Sequence, residues 1–143
     1  MKTYKPDEKD LKILEVLKAD SREAIREIAK KTKLKPSTVH QRMEKLKKER
    51  VIEKYTLKLN NEALEENFIV FMYLAAEKDL PKEVFDNPHI KEAFGITGEY
   101  DLLLKLKFKD IKEFNDFIIK FRKTYDIKKT LTNIATINLK EEI

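Results

Sequence analysis

The hydrophobic pattern of this chain changes once, near residue 50 of its 143 residues. Before that point apolar residues recur every three or four positions, a spacing that predicts amphipathic helices. After it, several runs alternate between apolar and polar residues, most clearly residues 100–108, and a period of two predicts β-strands. The chain is therefore expected to fold as a small helical part followed by a mixed α+β part.

Charge divides the chain at nearly the same place. Residues 1–60 hold 18 Lys and Arg against 10 Asp and Glu, a balance of +8, whereas residues 61–143 hold 13 against 16, a balance of −3. A basic first part joined to a slightly acidic second part suggests that only the first part meets a polyanion. A lysine-rich surface of the kind found in thermophilic proteins is the alternative explanation.

Composition removes several classes of site. The chain has no cysteine, which excludes disulfides, thiolate zinc sites and cysteine nucleophiles. Residues 1–10 lack the apolar core of a signal peptide, and the longest apolar run, residues 68–76, is too short to cross a membrane as a helix. We therefore expect a cytoplasmic protein.

Three helices are predicted in the first part. Asp7 is expected to cap the first, a second short helix ends near residue 32, and Pro36 begins the third, which runs to about residue 49. Two short helices joined by a tight turn, with the small Ala29 where they cross, form a helix-turn-helix arrangement. The β-rich residues 51–59 are expected to form a wing or a linker strand.

The third helix carries the predicted DNA contacts. Four polar residues of its first turns are placed to reach base edges in a major groove: Ser37, Thr38, His40 and Gln41. The cations suited to phosphates are Lys33, Lys35, Arg42, Lys45, Lys47 and Lys48. Lys33 and Lys35 oppose the dipole at the helix N-terminus, so a docked phosphate would turn both into favourable contacts. Ordinary solvated lysines are the alternative.

Four strands and two helices are predicted in the second part, in the order βαββαβ that is typical of a ferredoxin-like domain. The strands are expected over residues 67–76, 89–97, 100–108 and 127–139. Asp110 is expected to cap the longer helix, and residues 79–88 leave room for at most a short one. Helices cover one face of such a sheet, and we expect the other face to pair with another subunit.

These pieces, in this order, resemble the leucine-responsive regulator/AsnC (feast/famine) family of transcription regulators over nearly the whole chain. The residues that carry the resemblance are Asp7, Asp10, Ile13, Leu14 and Leu17; Ile28 and Ala29; Leu34, Pro36, Ser37, Thr38 and Val39; Arg42, Met43 and Leu46; Val51, Ile52 and Tyr55; Gly98, Glu99, Tyr100 and Asp101; and Thr130 and Thr132.

The resemblance implies a sequence-specific DNA-binding transcriptional regulator. Residues 1–50 would be its helix-turn-helix DNA-binding domain, residues 51–61 a strand linker or hinge, and residues 62–143 a ferredoxin-like dimerisation and effector-sensing domain. It also implies a homodimer that assembles into a tetramer or octamer on double-stranded DNA, modulated by an amino acid or another small effector.

By the same resemblance, the effector site would be lined by Gly98, Tyr100, Asp101, Thr130 and Thr132. A glycine turn exposes backbone N–H groups to a carboxylate, an Asp accepts from an α-ammonium group, and Thr hydroxyls complete a polar ring. The alternative is that residues 98–99 form only a hairpin turn and that the threonines only satisfy β-propensity.

The sequence departs from the family pattern at three places. Lys33 stands in the turn and Arg50 at the end of the third helix, where Gly is usual, and the stretch before Gly98 is shorter than usual. The shortened stretch predicts a truncated helix beside the effector region.

An enzyme is the main competing hypothesis, because siroheme decarboxylases share this two-domain plan by resemblance. The chain offers only His40 and His89 as imidazoles, at a spacing that forms no metal-ligand pair, and it holds no Gly-rich phosphate loop or nucleophile elbow. We expect no catalytic residues, no metal and no cofactor.

Overall fold

This computed structural model describes residues 3–142, which divide into two units. The first unit contains three helices. They are α1 (Glu8–Ala19), α2 (Ile25–Thr32) and α3 (Pro36–Lys48). Five buried side chains pack between them: Ile13, Leu17, Ile28, Ala29 and Val39. The predicted helix-turn-helix arrangement is confirmed, and the first unit extends to Leu57.

Helix α1 begins with a reciprocal cap. The Oδ1 atom of Asp7 accepts the backbone N–H of Asp10 at 2.9 Å, and Oδ2 of Asp10 accepts the backbone N–H of Asp7 at 3.1 Å. Both bonds satisfy donors that the first turn leaves unpaired, an arrangement known as a capping box. The predicted capping role of Asp7 is confirmed.

The turn between α2 and α3 depends on a left-handed residue. Lys33 has φ 57° and ψ 35°, and its left-handed backbone lets the N–H of Leu34 donate to the carbonyl of Ala29 at 3.1 Å. Arg50, just after α3, has φ 56°. Lys33 and Arg50, which stand where the family usually has Gly, therefore both adopt a left-handed backbone that glycine would adopt with less steric strain.

The strand predicted over residues 51–59 is not formed, since none of these residues pairs with a strand of the described chain. Instead the N–H groups of Val51 and Ile52 donate to the carbonyl of Leu46 at 2.9 and 3.1 Å and close the end of α3. Strand propensity needs a neighbouring ladder to take effect, and the single chain offers this segment none.

The second unit, residues 58–142, contains a four-stranded antiparallel sheet. Its strands are β1 (Phe68–Ala76), β2 (Ile90–Gly95), β3 (Leu102–Phe108) and β4 (Ile127–Ile134), in the spatial order β2-β3-β1-β4. A 3-10 helix (Lys82–Asp86) follows β1, and α4 (Ile111–Tyr125) follows β3. This is the predicted ferredoxin-like βαββαβ order, with the first helix reduced to one short turn. Strand β4 ends five residues before its predicted end, and residues 135–142 are irregular.

The two faces of the sheet differ. Val70, Met72 and Leu74 of β1 are buried beneath α4. The residues between them lie on the other face, because strand side chains alternate. On this open face Ile69, Phe71 and Tyr73 stand opposite Lys107, Lys105 and Leu103 of β3.

Candidate nucleic-acid interface and effector region

Helix α3 presents a polar face to solvent. Val39 and Leu46 are completely buried and anchor its opposite side. Of the residues predicted to contact DNA, Thr38 and Arg42 are half-buried and the others are exposed: Lys33, Lys35, Ser37, His40, Gln41, Lys45, Lys47 and Lys48. The structure therefore brings most of the predicted residues to one accessible surface.

The N-terminus of α3 has no side-chain cap. Lys35 occupies the N-cap position without making a cap hydrogen bond, Pro36 follows at the first helical position, and the first turn holds no acidic residue. Unpaired N–H groups and two adjacent lysines make this end of the helix positive, which suits a phosphate oxygen.

Arg42 does not point to the exposed face. Its Nη1 atom lies 2.7 Å from both carboxylate oxygens of Asp7 and 2.9 Å from Oδ1 of Asp10. The side chain of Asp10 is 1% exposed and that of Arg42 is 24% exposed. The guanidinium predicted to meet phosphate is instead held by two carboxylates at the start of α1.

This ion pair is part of a larger network. The hydroxyl of Tyr4 donates to Oδ2 of Asp10 at 2.6 Å, and the ammonium group of Lys45 lies 4.4 Å from the centre of the Tyr4 ring. Residues 42 and 45 of α3 are neighbours on the helix surface. The chain before α1 thus covers part of the surface of α3 that the sequence analysis assigned to phosphates.

Titration behaviour follows from these contacts. The hydrogen bond from Arg42, helped by the N–H of Asp10, lowers the pKa of Asp7 to about 2. Burial raises the pKa of Asp10, but hydrogen bonds from Tyr4, from the N–H of Asp7 and from Arg42 outweigh burial and leave it below its usual range. The hydrogen bond to Asp10 raises the pKa of Tyr4 to about 12. All three groups keep their ordinary charge at neutral pH.

The sequence analysis missed the network, although one signal was present. Position 42 lies three residues after Val39 and four before Leu46, so it falls inside the apolar stripe of α3. A charged residue in such a stripe predicts a paired, partly buried group.

The predicted effector loop joins β2 to β3. Gly98 has φ 122°, a conformation that favours glycine. The backbone N–H of Asp101 donates to the carbonyl of Leu74 at 3.0 Å, and its Oδ2 accepts the N–H of Ala76 at 3.3 Å. Asp101 therefore already ties the loop to the end of β1, using one of its two carboxylate oxygens.

Aromatic and charged groups surround Tyr100. Its ring centre lies 5.8 Å from that of Tyr73, and the ammonium group of Lys129 lies 4.8 Å from the Tyr100 ring centre while it pairs with Glu99. Tyr73 belongs to the open face of the sheet. Tyr100 and its neighbours thus lie on that face.

Thr130 and Thr132 lie on the other face. They stand directly opposite Leu74 and Met72 in the ladder of β1 and β4, and these partners are completely buried beneath α4. Directly opposed residues of antiparallel strands share a face. Within one chain the five predicted effector residues therefore form two groups, the loop residues and the two threonines.

Comparisons with known proteins match both units. Residues 6–53 match the model of a winged helix-turn-helix DNA-binding family, and residues 75–143 match the Lrp/AsnC ligand binding domain. The HTH-type transcriptional regulator FL11 of Pyrococcus furiosus is 36% identical over 116 residues, which cover 78% of this chain and 77% of that protein. The chain belongs to the Lrp/AsnC family. It is a transcriptional regulator of the Lrp/AsnC type, with a DNA-binding helix-turn-helix and a ligand-binding domain.

Solved Lrp/AsnC structures share the fold. AsnC of E. coli has a TM-score of 0.86 at 27% identity, with 98% of each chain covered. A transcriptional regulator of Neisseria meningitidis, solved as its complex with L-Met, has a TM-score of 0.84 at 23% identity and covers 96% of this chain and 94% of its own.

Within residues 3–142, no helix is both long enough and apolar enough to cross a bilayer.

Proposed function

We propose that this Lrp/AsnC regulator binds double-stranded DNA as a homodimer, with α3 of each copy in a major groove. The observation that carries the proposal is the accessible polar face of α3, where Ser37, His40 and Gln41 lie beside a lysine-flanked, uncapped helix N-terminus. Recognition helices contact base edges with residues of their first turns.

Base and phosphate contacts are divided between residues. Gln41 suits adenine, and Ser37, Thr38 and His40 offer donors or acceptors to neighbouring bases. Lys33, Lys35, Lys45 and Lys48 are the proposed phosphate contacts. Arg42 is left out of this set because Asp7 and Asp10 hold its guanidinium. Its proposed part is to orient α3.

The proposed homodimer uses the open face of the sheet. Phe94 of β2 and Leu131 of β4 are 54% and 47% exposed there, and Phe71 of β1 is 37% exposed. Such an apolar face on a regulator suits a second copy. A two-fold dimer would place its recognition helices on half-sites about 34–36 Å apart, or a multiple of that, on a pseudo-palindrome. We propose further assembly into a tetramer or octamer.

An amino acid is the proposed effector. All five candidate residues fall within the matched ligand-binding domain, and the Neisseria meningitidis neighbour was solved with L-Met. We propose direct contacts from Gly98, Tyr100 and Asp101. Thr130 and Thr132 are the weaker candidates, because their positions in the ladder place them on the face covered by α4.

We infer no catalytic role for this chain, and we place its action in the cytoplasm. The relatives that show its family are transcriptional regulators. The proposed functional surface is a DNA-binding face, which requires no cofactor.

Selection of bound fragments from a random DNA pool tests the proposal. The protein is incubated with the pool at about 0.15 M salt, with and without a mixture of amino acids. We expect an enriched pseudo-palindrome, and a changed enrichment when amino acids are added. Binding without enrichment that disappears as salt rises would contradict sequence-specific regulation, because only phosphate contacts behave that way.

A further inference from the structure

A buried carboxylate near the end of the chain lies among three ammonium groups. In Glu141, Oε2 is 2.8 Å from Nζ of Lys105, and Oε1 is 2.8 Å from Nζ of Lys107 and 2.7 Å from Nζ of Lys58. The Nδ2 atom of Asn61 also donates to Oε1, at 3.0 Å. We call these five residues, all in the second unit, the Glu141 clasp.

The clasp lies on the open face of the sheet. Lys105 and Lys107 are two residues apart in β3, so their side chains share a face, and their ladder partners are Phe71 and Ile69. The carboxylate comes from irregular residues 135–142, which follow β4. The clasp occupies one end of the face, while Phe94 and Leu131 stay exposed at the other end.

The ionic groups of the clasp are largely removed from water. The side chain of Glu141 is 8% exposed, and those of Lys105 and Lys107 are 14% and 11% exposed. Burial raises the pKa of the Glu141 carboxyl, but hydrogen bonds from Lys105, Lys107 and Lys58 outweigh burial and hold it well below its usual range. The carboxylate is therefore charged at any working pH.

Charge neutralisation matters most when the face is covered. A two-fold interface uses the same surface from both copies, so four ammonium groups from Lys105 and Lys107 would enter one dehydrated layer. Such groups are strongly unfavourable unless each has a partner of opposite charge. Within each chain Glu141 pairs with both lysines, and Lys105 has a second carboxylate partner, since Oε2 of Glu92 lies 3.5 Å from its Nζ. Two carboxylates thus balance these two ammonium groups, while the side chain of Lys58 stays 43% exposed to water.

We propose that the Glu141 clasp allows the open sheet face to pair with a second copy of this chain, because it pairs both Lys105 and Lys107 with a carboxylate before the two faces meet. The proposal rests on the homodimer of the proposed function and names the segment on which that homodimer depends. A second copy is the occupant because Phe71, Phe94 and Leu131 are exposed on this face and can pack against the same residues of another copy, while the lysines beside them are already paired with carboxylates.

Sedimentation equilibrium of the full-length protein tests the proposal. The dimer dissociation constant is measured for wild type, for Glu141→Gln and for the matched control Glu142→Gln, at about 0.05 and 0.5 M salt. Glu142 is 77% exposed and pairs with Lys140, so its change removes the same charge outside the clasp. We expect Glu141→Gln to raise the dissociation constant at least tenfold at the lower salt, with a smaller effect at the higher salt because of screening. We expect Glu142→Gln to match wild type.

A double variant separates charge from simple anchoring. Lys107→Gln combined with Glu141→Gln removes one cation together with the carboxylate, and we expect it to recover most of the lost affinity. Failure to recover would overturn the proposal. If Glu141→Gln alone does not fold, the double variant still tests the proposal. A double variant that folds but remains monomeric would contradict the role of charge.

The outcomes also distinguish the proposal from its premise. Monomeric wild type would overturn the homodimer and the clasp's role together. A wild-type dimer with equal dissociation constants for Glu141→Gln and Glu142→Gln would overturn the role of the clasp alone.

Discussion

The guanidinium of Arg42, in the middle of α3, lies 2.7 Å from both carboxylate oxygens of Asp7, the N-cap of α1. Asp7 therefore serves two helices, because the same carboxylate also accepts the N–H of Asp10. The angle at which the recognition helix meets α1 is tied to the cap of α1. We expect a substitution that breaks this contact to change the orientation of α3, and with it the proposed DNA-binding surface, without removing any of the proposed DNA contacts.

Replacing Arg42 by Gln should destabilise the first unit. The variant leaves the buried carboxylate of Asp10 without its cationic partner, and we expect the free energy of unfolding to fall by about 2 kcal/mol. Chemical denaturation followed by circular dichroism measures the change. Arg26→Gln is the matched control. The side chain of Arg26 is 82% exposed, and its ion pair with Glu27, at 3.6 Å, lies on the surface and should contribute little to stability. Equal effects of both substitutions would contradict a structural role for Arg42.

Acid should weaken the first unit through the same carboxylates. The pKa of Asp7 is lowered to about 2 and that of Asp10 is also lowered, whereas both lie near 3.9 in an unfolded chain. A folded-state pKa below the unfolded value gives stability that is complete above the unfolded pKa and is lost as pH falls toward the folded one. We expect urea midpoints to be constant from about pH 7 to 5 and to drop below about pH 4.

The matched variant for that experiment is Asp10→Asn, which removes one of the two titrating groups. Its midpoint is expected to fall less steeply with acid than that of wild type. Parallel pH profiles for the two proteins would show that the acid sensitivity arises elsewhere.

Glycine at position 33 should stabilise the protein. Lys33 adopts φ 57°, which costs a residue with a Cβ roughly 1–2 kcal/mol, and glycine recovers part of this against its greater freedom in the unfolded chain. We expect Lys33→Gly to raise the free energy of unfolding by about 0.5 kcal/mol, measured by chemical denaturation. Lys30→Gly, inside α2, should instead lower it by about 1 kcal/mol. If both substitutions changed the free energy of unfolding in the same direction, the left-handed backbone of residue 33 would not explain the result.

Base and phosphate contacts should be separable by substitution. Gln41→Ala is expected to relax sequence preference in the enriched site with little change on random DNA. Lys45→Ala and Lys48→Ala should each weaken binding to all sequences and reduce the slope of log affinity against log salt by about 1. Fluorescence anisotropy with specific and random duplexes at several salt concentrations measures both effects. Indistinguishable profiles for Gln41→Ala and Lys48→Ala would refute the division.

Local signals in the sequence were sufficient to predict the helices and the four strands of the sheet. The cap at Asp7, the proline that begins α3 and the strict alternation of β3 are each set by neighbours within a few residues. Contacts between distant positions were not visible in the same way. The ion pair of Arg42 joins residues 35 positions apart, so spacing within α3 could indicate a paired group at this position but not identify Asp7 as its partner.

The strand limits and the arrangement of the candidate effector residues both depend on pairing between strands. Residues 51–59 have strand composition but no ladder, and β4 stops at Ile134, where its pairing with β1 ends. The face taken by Thr130 and Thr132 depends on the register of β4 against β1, which the sequence does not reveal. The family resemblance grouped the threonines with the loop at Gly98, whereas the register of β4 places the threonines on the opposite face of the sheet.

The unpaired segment after α3 has a consequence for the fate of isolated subunits. Tyr55, Leu57 and Leu59 alternate along it and are 45%, 67% and 50% exposed. An extended stretch of apolar alternation with unmatched backbone groups is a template for aggregation. If the proposed homodimer covers this segment, dissociation would expose it, and assembly would then protect the solubility of the protein as well as serve DNA binding.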